Sequence, residues 1–339
     1  MKALRYAAWD VLEMATVDDP VPTAGEAVLQ VAAVGICGSE VEAVAARSPR
    51  RTPPLVMGHE FCGEIVAVAP DVTEFKVGDR VVASSLIPCG RCASCRAGAV
   101  HLCPDRGIFG MNRPGAFAER VAAPARVLLP LPERVSPVQG ALVEPLANGV
   151  HVWSRLEQKF PETVMVIGCG AIGLLALQVA RAGGALRLVA VDTSDARLAM
   201  AHAVGAEPLL NPVRDAVVSE IRAFTRGRGA DVVIDAAGTA ATRRTAVEAV
   251  RPGGEVVWIG THGDATELSG RDVVLGERRI SGSYAVTYDD LRTAVALFAH
   301  GRIEIEPWVR PFPLDEGARV FRELLTAPSA DYAKALLLP

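Results

Sequence analysis

Short apolar segments separated by glycine and proline turns fill the amino-terminal part of the chain. Segments of this length and alternation are typical of half-buried strands in antiparallel sheets. The pattern predicts strands at residues 2–6, 11–17, 27–34, 64–69, 80–84, 118–122 and 127–129. Together they indicate a barrel-like antiparallel domain whose loops are free to carry functional residues.

The pattern changes near residue 162. β-branched runs at 164–167, 187–191, 232–235 and 255–259 alternate with helical periodicity at 173–182 and 196–204. Further on, the pattern predicts helices at 289–300 and 315–326 and a strand at 333–338. Strands that alternate with helices form parallel, doubly wound sheets. The predicted fold class is therefore α/β, with a doubly wound parallel-sheet domain and a β-barrel domain.

One uncharged run, residues 163–180, reaches the minimum length of a membrane-spanning helix. Its three glycines and its β-branched beginning favour a buried strand, a turn and a helix instead. The chain starts without the basic and apolar regions of a signal peptide. We therefore expect a cytoplasmic protein with no membrane partner.

The 339 residues are 50% hydrophobic and 22% charged, with a net charge of −4. A chain of this length divides into about two domains. A slightly acidic chain without a basic stripe gives no electrostatic reason to expect a nucleic-acid partner. Seven cysteines cannot all pair with one another, and four of them cluster within residues 89–103. That clustering indicates a metal site rather than a disulfide framework.

A glycine-rich turn follows the first strand of the doubly wound part. Residues 168–173 match G-x-G-x-x-G between a predicted strand and a predicted helix. Glycine permits the tight turn, the approach of a pyrophosphate to the helix N-terminus, and close packing of helix on strand. An acidic residue at the end of the next strand can bind the adenosine ribose, which favours NAD over NADP, although a nearby arginine keeps NADP as an alternative. The predicted cofactor-binding residues are Gly168, Gly170, Ala171, Ile172, Gly173, Asp192 (the acidic residue) and Arg197 (the arginine).

The clustered cysteines have the spacing C-x₂-C-x₂-C-x₇-C in a loop rich in glycine, alanine and arginine. Four thiolates this close can surround one tetrahedral Zn²⁺ without leaving an open position, as in structural zinc sites. An iron–sulfur cluster can use the same ligands. A zinc-finger nucleic-acid module is a further alternative, which the acidic charge disfavours. The predicted ligands are Cys89, Cys92, Cys95 and Cys103.

Three more candidate ligands, Cys37, His59 and Glu144, are dispersed along the chain. Each occupies a predicted transition between a loop and a strand or helix. Three protein ligands leave a fourth position for water or substrate, which is the arrangement of a catalytic zinc. Taken singly, each residue is as readily explained by packing or hydrogen bonding, so its interpretation depends on the other motifs.

These motifs, taken in order, resemble the zinc-dependent medium-chain alcohol dehydrogenases, and their polyol and sugar-alcohol branch in particular. The resemblance runs over Cys37, residues 59–60, the loop at 89–103, and residues 115–119, 144–145, 168–173 and 251–254. It implies a GroES-like catalytic domain formed by residues 1–148 and 290–339, and a Rossmann NAD-binding domain at 149–289. It also implies two zinc ions per chain. Residues 279–284 match the strand through which subunits of this family pair, so a homodimer or homotetramer is expected.

By motif position, the resemblance assigns Cys37, His59 and Glu144 to the catalytic zinc and the clustered cysteines to a structural zinc. Glu60 matches a carboxylate that can approach the catalytic metal. Ser39 matches the hydroxyl that takes the substrate proton.

The sequence departs from the family pattern at three positions in or beside these motifs. Glu40 replaces the usual Asp that supports the histidine ligand, a role that the longer carboxylate can still fill. Glu42 stands where a histidine often passes the proton to solvent, so we expect the proton relay to end in a carboxylate or in water. Glu144 replaces the cysteine of simple alcohol dehydrogenases, which makes the metal a harder Lewis acid suited to an oxygen-rich substrate.

We therefore expect reversible, NAD-linked oxidation of a secondary alcohol to a ketone in a small polyol, sugar or cyclitol. Residues 112–115 and 148–151 resemble the threonine dehydrogenase branch, which leaves an L-threonine 3-dehydrogenase-like activity as an alternative. A second alternative is a zinc- and nucleotide-binding redox sensor without catalysis. The set of Cys37, Ser39 and His59 argues against the sensor, because binding alone needs no proton relay.

Overall fold

The structure is a computed structural model that describes all residues from 1 to 339. Numbered along the chain, its strands are β1 (Lys2–Ala8), β2 (Val11–Thr16), β3 (Glu26–Gly35), β4 (Leu55–Val56), β5 (Glu60–Val68), β6 (Arg80–Ala83), β7 (Leu86–Ile87), β8 (Gly107–Ile108), β9 (Arg120–Pro124), β10 (Leu128–Pro130), β11 (Thr163–Ile167), β12 (Arg187–Val191), β13 (Leu209–Leu210), β14 (Ala230–Asp235), β15 (Val250–Trp258), β16 (Arg279–Gly282), β17 (Val309–Pro313) and β18 (Lys334–Leu338).

The α-helices are α1 (Gly38–Ala45), α2 (Ala93–Arg96), α3 (Pro137–Ala141), α4 (Val143–Ser154), α5 (Ala171–Ala182), α6 (Asp195–Ala203), α7 (Val217–Phe224), α8 (Ala240–Ala249), α9 (Gly270–Leu275), α10 (Tyr288–Ala299) and α11 (Gly317–Thr326). The uncharged run at 163–180 forms β11, the glycine turn and most of α5. None of the helices combines the length and the apolar character that a membrane span needs.

The first compact unit comprises residues 1–144, 287–300 and 309–339. Its largest sheet has the strand order β10-β6-β5-β3-β18-β17, with β9 also paired to β3. The ten-residue β3 is therefore the central strand, with β5, β9 and β18 as antiparallel partners. Leu29 of β3, Phe61 of β5 and Phe117 belong to one buried apolar cluster. This cluster holds the ends of β3 and β5 side by side, where the candidate metal ligands lie.

The second compact unit comprises residues 145–286 and 301–308. Its six parallel strands have the order β13-β12-β11-β14-β15-β16. Counted within the unit, this is the order 3-2-1-4-5-6 of doubly wound dinucleotide-binding domains. The strand order reverses between β11 and β14, and ligands of such sheets bind outside the carboxyl ends of the strands at that point. The glycine-rich turn follows β11 and therefore lies there.

The carboxyl-terminal boundary differs from the sequence interpretation, which placed residues 290–339 in the catalytic domain as one segment. In the structure, residues 301–308 lie with the second unit. Gln178 of α5 explains the difference, because its Nε2 donates to Glu304 O at 3.0 Å and its Oε1 accepts from Glu304 N at 2.6 Å. Trp308 is fully buried and donates from Nε1 to the same carbonyl at 2.9 Å. A contact between one side chain and a distant backbone segment leaves no periodic signal in the sequence.

Candidate active site

Two adjacent strands bring Cys37 and His59 together. β3 ends at Gly35 and β5 begins at Glu60, and these two residues are paired in the antiparallel register. Cys37 then occupies the N-cap of α1, while His59 directly precedes β5. A Cβ at position 35 would lie 2.2 Å from Glu60 Oε2, so any residue other than glycine would displace this carboxylate. Strand register therefore forms this site from residues that are far apart in sequence.

The ligand atoms of Cys37, His59 and Glu60 all lie within 4.8 Å of one another. This group includes Glu60, which the resemblance gave only an approaching role, and it does not include Glu144. Glu144 is buried in the first turn of α4 and accepts a hydrogen bond of 2.7 Å from Ser85 Oγ. Burial, reinforced by the negative charge of Glu60, raises the pKa of Glu144. Two buried carboxylates beside a thiol and an imidazole form a donor set that a divalent cation would stabilise.

Glu40, fully buried in the first turn of α1, contacts the segments that carry both ligands. Its Oε1 accepts from Gly58 N at 2.8 Å and pairs with His59 Nδ1 at 2.9 Å, and its Oε2 accepts from Cys37 N at 3.1 Å. Burial opposes ionisation, but the positive charge of His59 and the N–H donors hold the pKa of Glu40 below its usual value. A metal that replaces the proton on Nε2 leaves Nδ1–H to donate to Glu40, so Nε2 is the nitrogen available to a metal. The longer carboxylate therefore reaches the histidine, as expected.

Lys334 of β18 is a residue of this site that the sequence pattern did not single out. It is 5% exposed and forms an ion pair with Glu60. Burial alone would lower the pKa of Lys334, but the negative charges of Glu60 and Cys37 raise it, so the ammonium group stays charged. The one signal in the sequence is a lysine in an otherwise apolar strand, K-A-L-L-L. Its positive charge offsets part of the repulsion between the two carboxylates.

Ser39 and Glu42 lie on α1, three residues apart, and both are exposed. Residues three apart on a helix share a face. Ser39 Oγ donates to Cys37 Sγ at 3.3 Å. A hydroxyl that touches a candidate ligand and also faces solvent can exchange a proton with a bound alcohol.

The four clustered cysteines converge in a loop that includes the short helix α2. The sulfurs of Cys89, Cys92, Cys95 and Cys103 all lie within 4.8 Å of one another. Backbone N–H groups of Arg91 and Cys92 lower the pKa of Cys89 to about 6, whereas desolvation and the neighbouring Cys92 thiol raise that of Cys95 to about 12. Four thiolates cannot coexist at this distance without a cation. The donor set therefore fits a tetrahedral metal ion with no open position.

The glycine-rich turn joins β11 to α5, whose first residues are Ala171 and Ile172. Gly168 has a φ of +92°, and at Gly173 a Cβ would lie 1.8 Å from Gly168 O, so turn and helix packing require both glycines. Gly170, the N-cap of α5, differs, because a Cβ there would meet only a side-chain nitrogen at 3.9 Å. Protein packing does not explain Gly170. A glycine here leaves room for a phosphate group at the helix N-terminus.

Asp192 and Arg197 lie beside the same turn. Asp192 follows β12, and its two oxygens accept hydrogen bonds from Cys169 N at 2.7 Å and Ser194 N at 2.8 Å. These bonds hold its carboxylate where an adenosine ribose binds in folds of this kind. The nitrogen nearest to a Cβ at Gly170 is Nη1 of Arg197. An acidic group for a ribose and a basic group for a 2′-phosphate are thus both present.

Residues 112–115, which resemble the threonine dehydrogenase branch, have structural roles. Asn112 Oδ1 accepts from Ile108 N at 2.7 Å, and Arg113 forms an ion pair with Glu26. A Cβ at Gly115 would lie 2.4 Å from a backbone oxygen of the loop that carries the histidine ligand. Loop packing accounts for this run, so it does not discriminate between substrates.

Two family models match the chain. The alcohol dehydrogenase GroES-like domain matches residues 23–133, and the zinc-binding dehydrogenase model matches residues 171–300. Together they cover more than half of the chain. The first match lies within the mainly antiparallel unit, and the second lies within the doubly wound unit apart from residues 287–300.

Similar proteins extend this agreement to nearly the whole chain. L-threonine 3-dehydrogenase of Pyrococcus abyssi is 32% identical over 305 residues, 87% of this chain and 86% of that protein. L-galactonate-5-dehydrogenase of Escherichia coli is 33% identical over 284 residues, 84% of this chain and 83% of that protein. A solved structure described as a zinc-binding dehydrogenase of Sinorhizobium meliloti 1021 bound to NADP is 33% identical, with a TM-score of 0.92 over 100% of this chain and 99% of that one. The fold class and family expected from the motifs are thereby confirmed, and the chain belongs to the zinc-dependent medium-chain alcohol dehydrogenases, which are NAD(P)-linked oxidoreductases.

Proposed function

We propose that the protein catalyses the reversible oxidation of a secondary alcohol to a ketone in a small polyol, sugar or cyclitol. The observation that carries this proposal is the donor set of one thiol, one imidazole and two buried carboxylates, Glu60 and Glu144. Carboxylates are hard ligands, and a metal that they hold favours hydroxyl oxygens. The similarity to a galactonate dehydrogenase supports an oxygen-rich substrate.

Each residue of the site has a distinct part in this reaction. When bound, zinc supplies a Lewis acid for the substrate oxygen, and NAD supplies the hydride acceptor. Cys37 and His59, together with a carboxylate, would hold the metal, and Glu40 keeps both in place through the bonds described above. Ser39 accepts the proton of the alcohol on Oγ and passes its own proton to Glu42 or to water.

The third metal ligand is proposed to be Glu144, with Glu60 as the carboxylate that approaches the metal. The ion pair with Lys334 supports this division of roles, because Glu60 already has a charged partner in the protein and is less available as a permanent metal ligand. The amount of zinc retained after dialysis against increasing chelator concentrations distinguishes the roles of the two carboxylates. Glu144→Gln is expected to release one zinc per chain at a lower chelator concentration than the wild type, while Glu60→Gln retains both. The reverse result would exchange the two roles.

The clustered cysteines are proposed to hold a second, structural zinc. Support comes from the four sulfurs, which lie within 4.8 Å of one another. Four thiolates complete a tetrahedral zinc site and leave no position for substrate. Two zinc ions per chain in the purified protein are the expected result. A single zinc, or iron with acid-labile sulfide, would contradict it.

NAD is proposed as the preferred cofactor, because Asp192 lies beside the glycine turn and its negative charge opposes a 2′-phosphate. The positive charge of Arg197, which lies beside the same turn, instead favours the 2′-phosphate of NADP. The ratio of kcat/KM for NAD to that for NADP measures the balance. Arg197→Met is expected to raise this ratio, and Asp192→Ser to lower it. A wild-type ratio below one would overturn the preference.

L-threonine 3-dehydrogenase activity is the second candidate, favoured by 32% identity to that enzyme over 87% of this chain. The discriminating experiment follows NADH absorbance with NAD and a panel of polyols, sugar alcohols, cyclitols, L-galactonate and L-threonine. The highest kcat/KM on a polyhydroxylated substrate supports the first proposal. The highest value on L-threonine selects the second, and no turnover with any alcohol by the zinc-loaded protein would favour a binding or sensing role.

A homodimer or homotetramer that pairs through β16 is also proposed. β16 is the edge strand of the six-stranded sheet and has one unpaired side. Val274 and Leu275 of the preceding helix are 73% and 71% exposed, and Tyr284 after the strand is 43% exposed. An open strand edge with apolar neighbours is a surface that proteins usually cover. Light scattering coupled to size-exclusion chromatography gives the subunit number, and a monomer would contradict the proposal.

A further inference from the structure

Arg51, in the segment between α1 and β4, is a buried cation whose hydrogen bonds all go to uncharged acceptors. The residue is 5% exposed. Its Nε donates to Gly110 O at 3.2 Å, its Nη1 to Ser39 O at 3.0 Å, and its Nη2 to Ser39 Oγ at 3.3 Å. Its positive charge helps to lower the pKa of Glu40, but no hydrogen bond joins these two side chains, and burial of a guanidinium without a hydrogen-bonded carboxylate is costly. Packing alone therefore does not explain an arginine at this position, and two of its three contacts lead to Ser39.

The bond to the Ser39 hydroxyl has a directional consequence. A hydroxyl oxygen offers two acceptor sites and one proton, whereas a guanidinium can only donate. Nη2 of Arg51 therefore occupies one acceptor site of Oγ, and the hydroxyl proton must point elsewhere, as it does toward Cys37 Sγ at 3.3 Å. One acceptor site of Oγ remains open. Because Ser39 is exposed, a substrate hydroxyl can reach that site.

The two backbone contacts make the guanidinium a fixed point rather than a mobile charge. Ser39 O belongs to the first turn of α1, and Gly110 O belongs to a separate loop. A planar guanidinium held at three nitrogens cannot rotate, and lysine cannot reproduce that geometry. The hydroxyl oxygen is consequently held in one position relative to the helix that carries it, with one acceptor site always occupied by Arg51.

We propose that Arg51 is a positioning residue that orients the Ser39 hydroxyl for proton transfer, an inference that rests on the proton-accepting role proposed above for Ser39. The substrate hydroxyl donates into the open acceptor site of Oγ. Its O–H bond breaks as a new O–H bond forms on Oγ, and the proton that Oγ carried before turns away from Cys37 Sγ and leaves to Glu42 or to water. Ser39 is neutral before and after this exchange. NAD, when bound, would supply the acceptor for the hydride of the substrate carbon, so the alcohol would lose one proton and one hydride in all.

Arg51 also stabilises the charge that develops during this exchange. Partial negative charge appears on Oγ whenever its own proton leaves before the new one is fully bound. A cationic donor that is already in place at 3.3 Å stabilises that charge without reorganisation. Arg51 is expected to affect the rate of the chemical step more than substrate binding, because its bond to Oγ is present before the substrate arrives.

A double-mutant cycle tests the inference on the zinc-loaded full chain. The variants Arg51→Met, Ser39→Ala and the double variant are assayed for kcat and KM with NAD and the best alcohol of the panel. Arg51→Met is expected to lower kcat about tenfold, to change KM less than about twofold, and to have no further effect once Ser39 is alanine. Arg50→Met, at the exposed neighbouring position, is the matched control and should leave kcat unchanged.

The possible results separate the inference from the function on which it rests. If Arg51→Met lowers kcat by the same factor with and without Ser39, its role is structural and the inference is overturned, as it is by an unchanged kcat. If Ser39→Ala retains the wild-type kcat, the proton-accepting role of Ser39 fails first. Melting temperature, bound zinc and NADH affinity are measured for every variant, so that a folding defect is recognised. Arg51→Gln replaces Arg51→Met in the cycle if the latter does not fold.

Discussion

Two alanine substitutions in the glycine-rich turn separate what the fold needs from what the cofactor needs. At Gly173 a Cβ would lie 1.8 Å from Gly168 O, roughly 1.5 Å closer than a normal carbon–oxygen contact. Because the clash involves backbone, α5 must move away from β11. Overpacking of this kind costs about 1–3 kcal/mol. At Gly170 the nearest atom would be at 3.9 Å, so the same methyl group fits without strain in the free protein.

The two variants are therefore expected to behave differently. Gly173→Ala lowers the melting temperature by several degrees, with about 2–4 °C for each kcal/mol lost, and it weakens NADH binding because the turn is displaced. Gly170→Ala leaves the melting temperature within about 1 °C of the wild type. It nevertheless weakens NADH binding at least tenfold, since the methyl group occupies the space needed by the pyrophosphate.

Differential scanning fluorimetry without cofactor and fluorescence titration with NADH measure both effects on the same samples. Gly149→Ala, where a Cβ would lie 3.4 Å or more from its neighbours, is a control for a buried glycine without a bound phosphate. Wild-type NADH affinity in Gly170→Ala would refute the assignment of this turn as the pyrophosphate site. Equal loss of stability in Gly170→Ala and Gly173→Ala would refute the steric reasoning.

Three further predictions concern groups outside the glycine-rich turn. Glu40→Gln should weaken binding of the catalytic zinc about 10–100-fold, because an amide has only one oxygen to accept the hydrogen bonds that the two carboxylate oxygens accept. Glu64→Gln, on the exposed face of β5, is the control and should leave zinc affinity unchanged. Chelator titration compares the two variants, and equal zinc affinities would contradict the role of Glu40 in holding the histidine. The carboxyl of Asp231 is buried, but its 2.6 Å bond from Arg251 holds its pKa below the usual value. The wild type should therefore have a larger free energy of unfolding than Asp231→Asn above the unfolded pKa of about 3.9, and this difference should vanish as the pH falls through the lower pKa of the folded state. Urea unfolding at several pH values measures the difference. A difference that does not depend on pH would count against the prediction. Cys95→Ser should remove one zinc per chain, retain the other, and lower the melting temperature by about 5 °C or more. Zinc content and melting temperature are measured on the purified variant. Retention of both zinc ions would exclude the four-sulfur site.

Much of the fold follows from local patterns. The buried run before the glycine turn is short, apolar and β-branched, and it forms β11, with α5 beginning at Ala171. Such a unit is defined by neighbours in sequence, so periodicity and turn chemistry suffice to predict it. The cysteine loop is similar, because all four sulfurs come from one short segment that can converge without help from the rest of the chain.

Short helices and the allocation of segments to units were harder to predict. α1 has eight residues and only three buried ones, so it shows little periodicity, and the sequence pattern predicted no helix between the strands at 27–34 and 64–69. Residues 301–308 lie with the doubly wound unit through their bonds to Gln178 and not through any pattern of their own. Tertiary contacts outweigh weak local preferences in both cases.

The sequence by itself determined the family and the two-part architecture, because ordered motifs and periodicity carry them along the whole chain. It also determined the residue types of the cysteine loop and the nucleotide turn, because spacing within a short segment carries each of these. Only the tertiary structure decided which charged groups surround the dispersed site. Strand register placed Glu60 rather than Glu144 in the closest group with Cys37 and His59, and it brought the buried Lys334 against Glu60. The physical reason is that such ion pairs join residues far apart in the chain, as Glu60 and Lys334 are. Which of them meet, and whether they are buried, depends on how the strands pair, and spacing along the chain carries no information about that pairing.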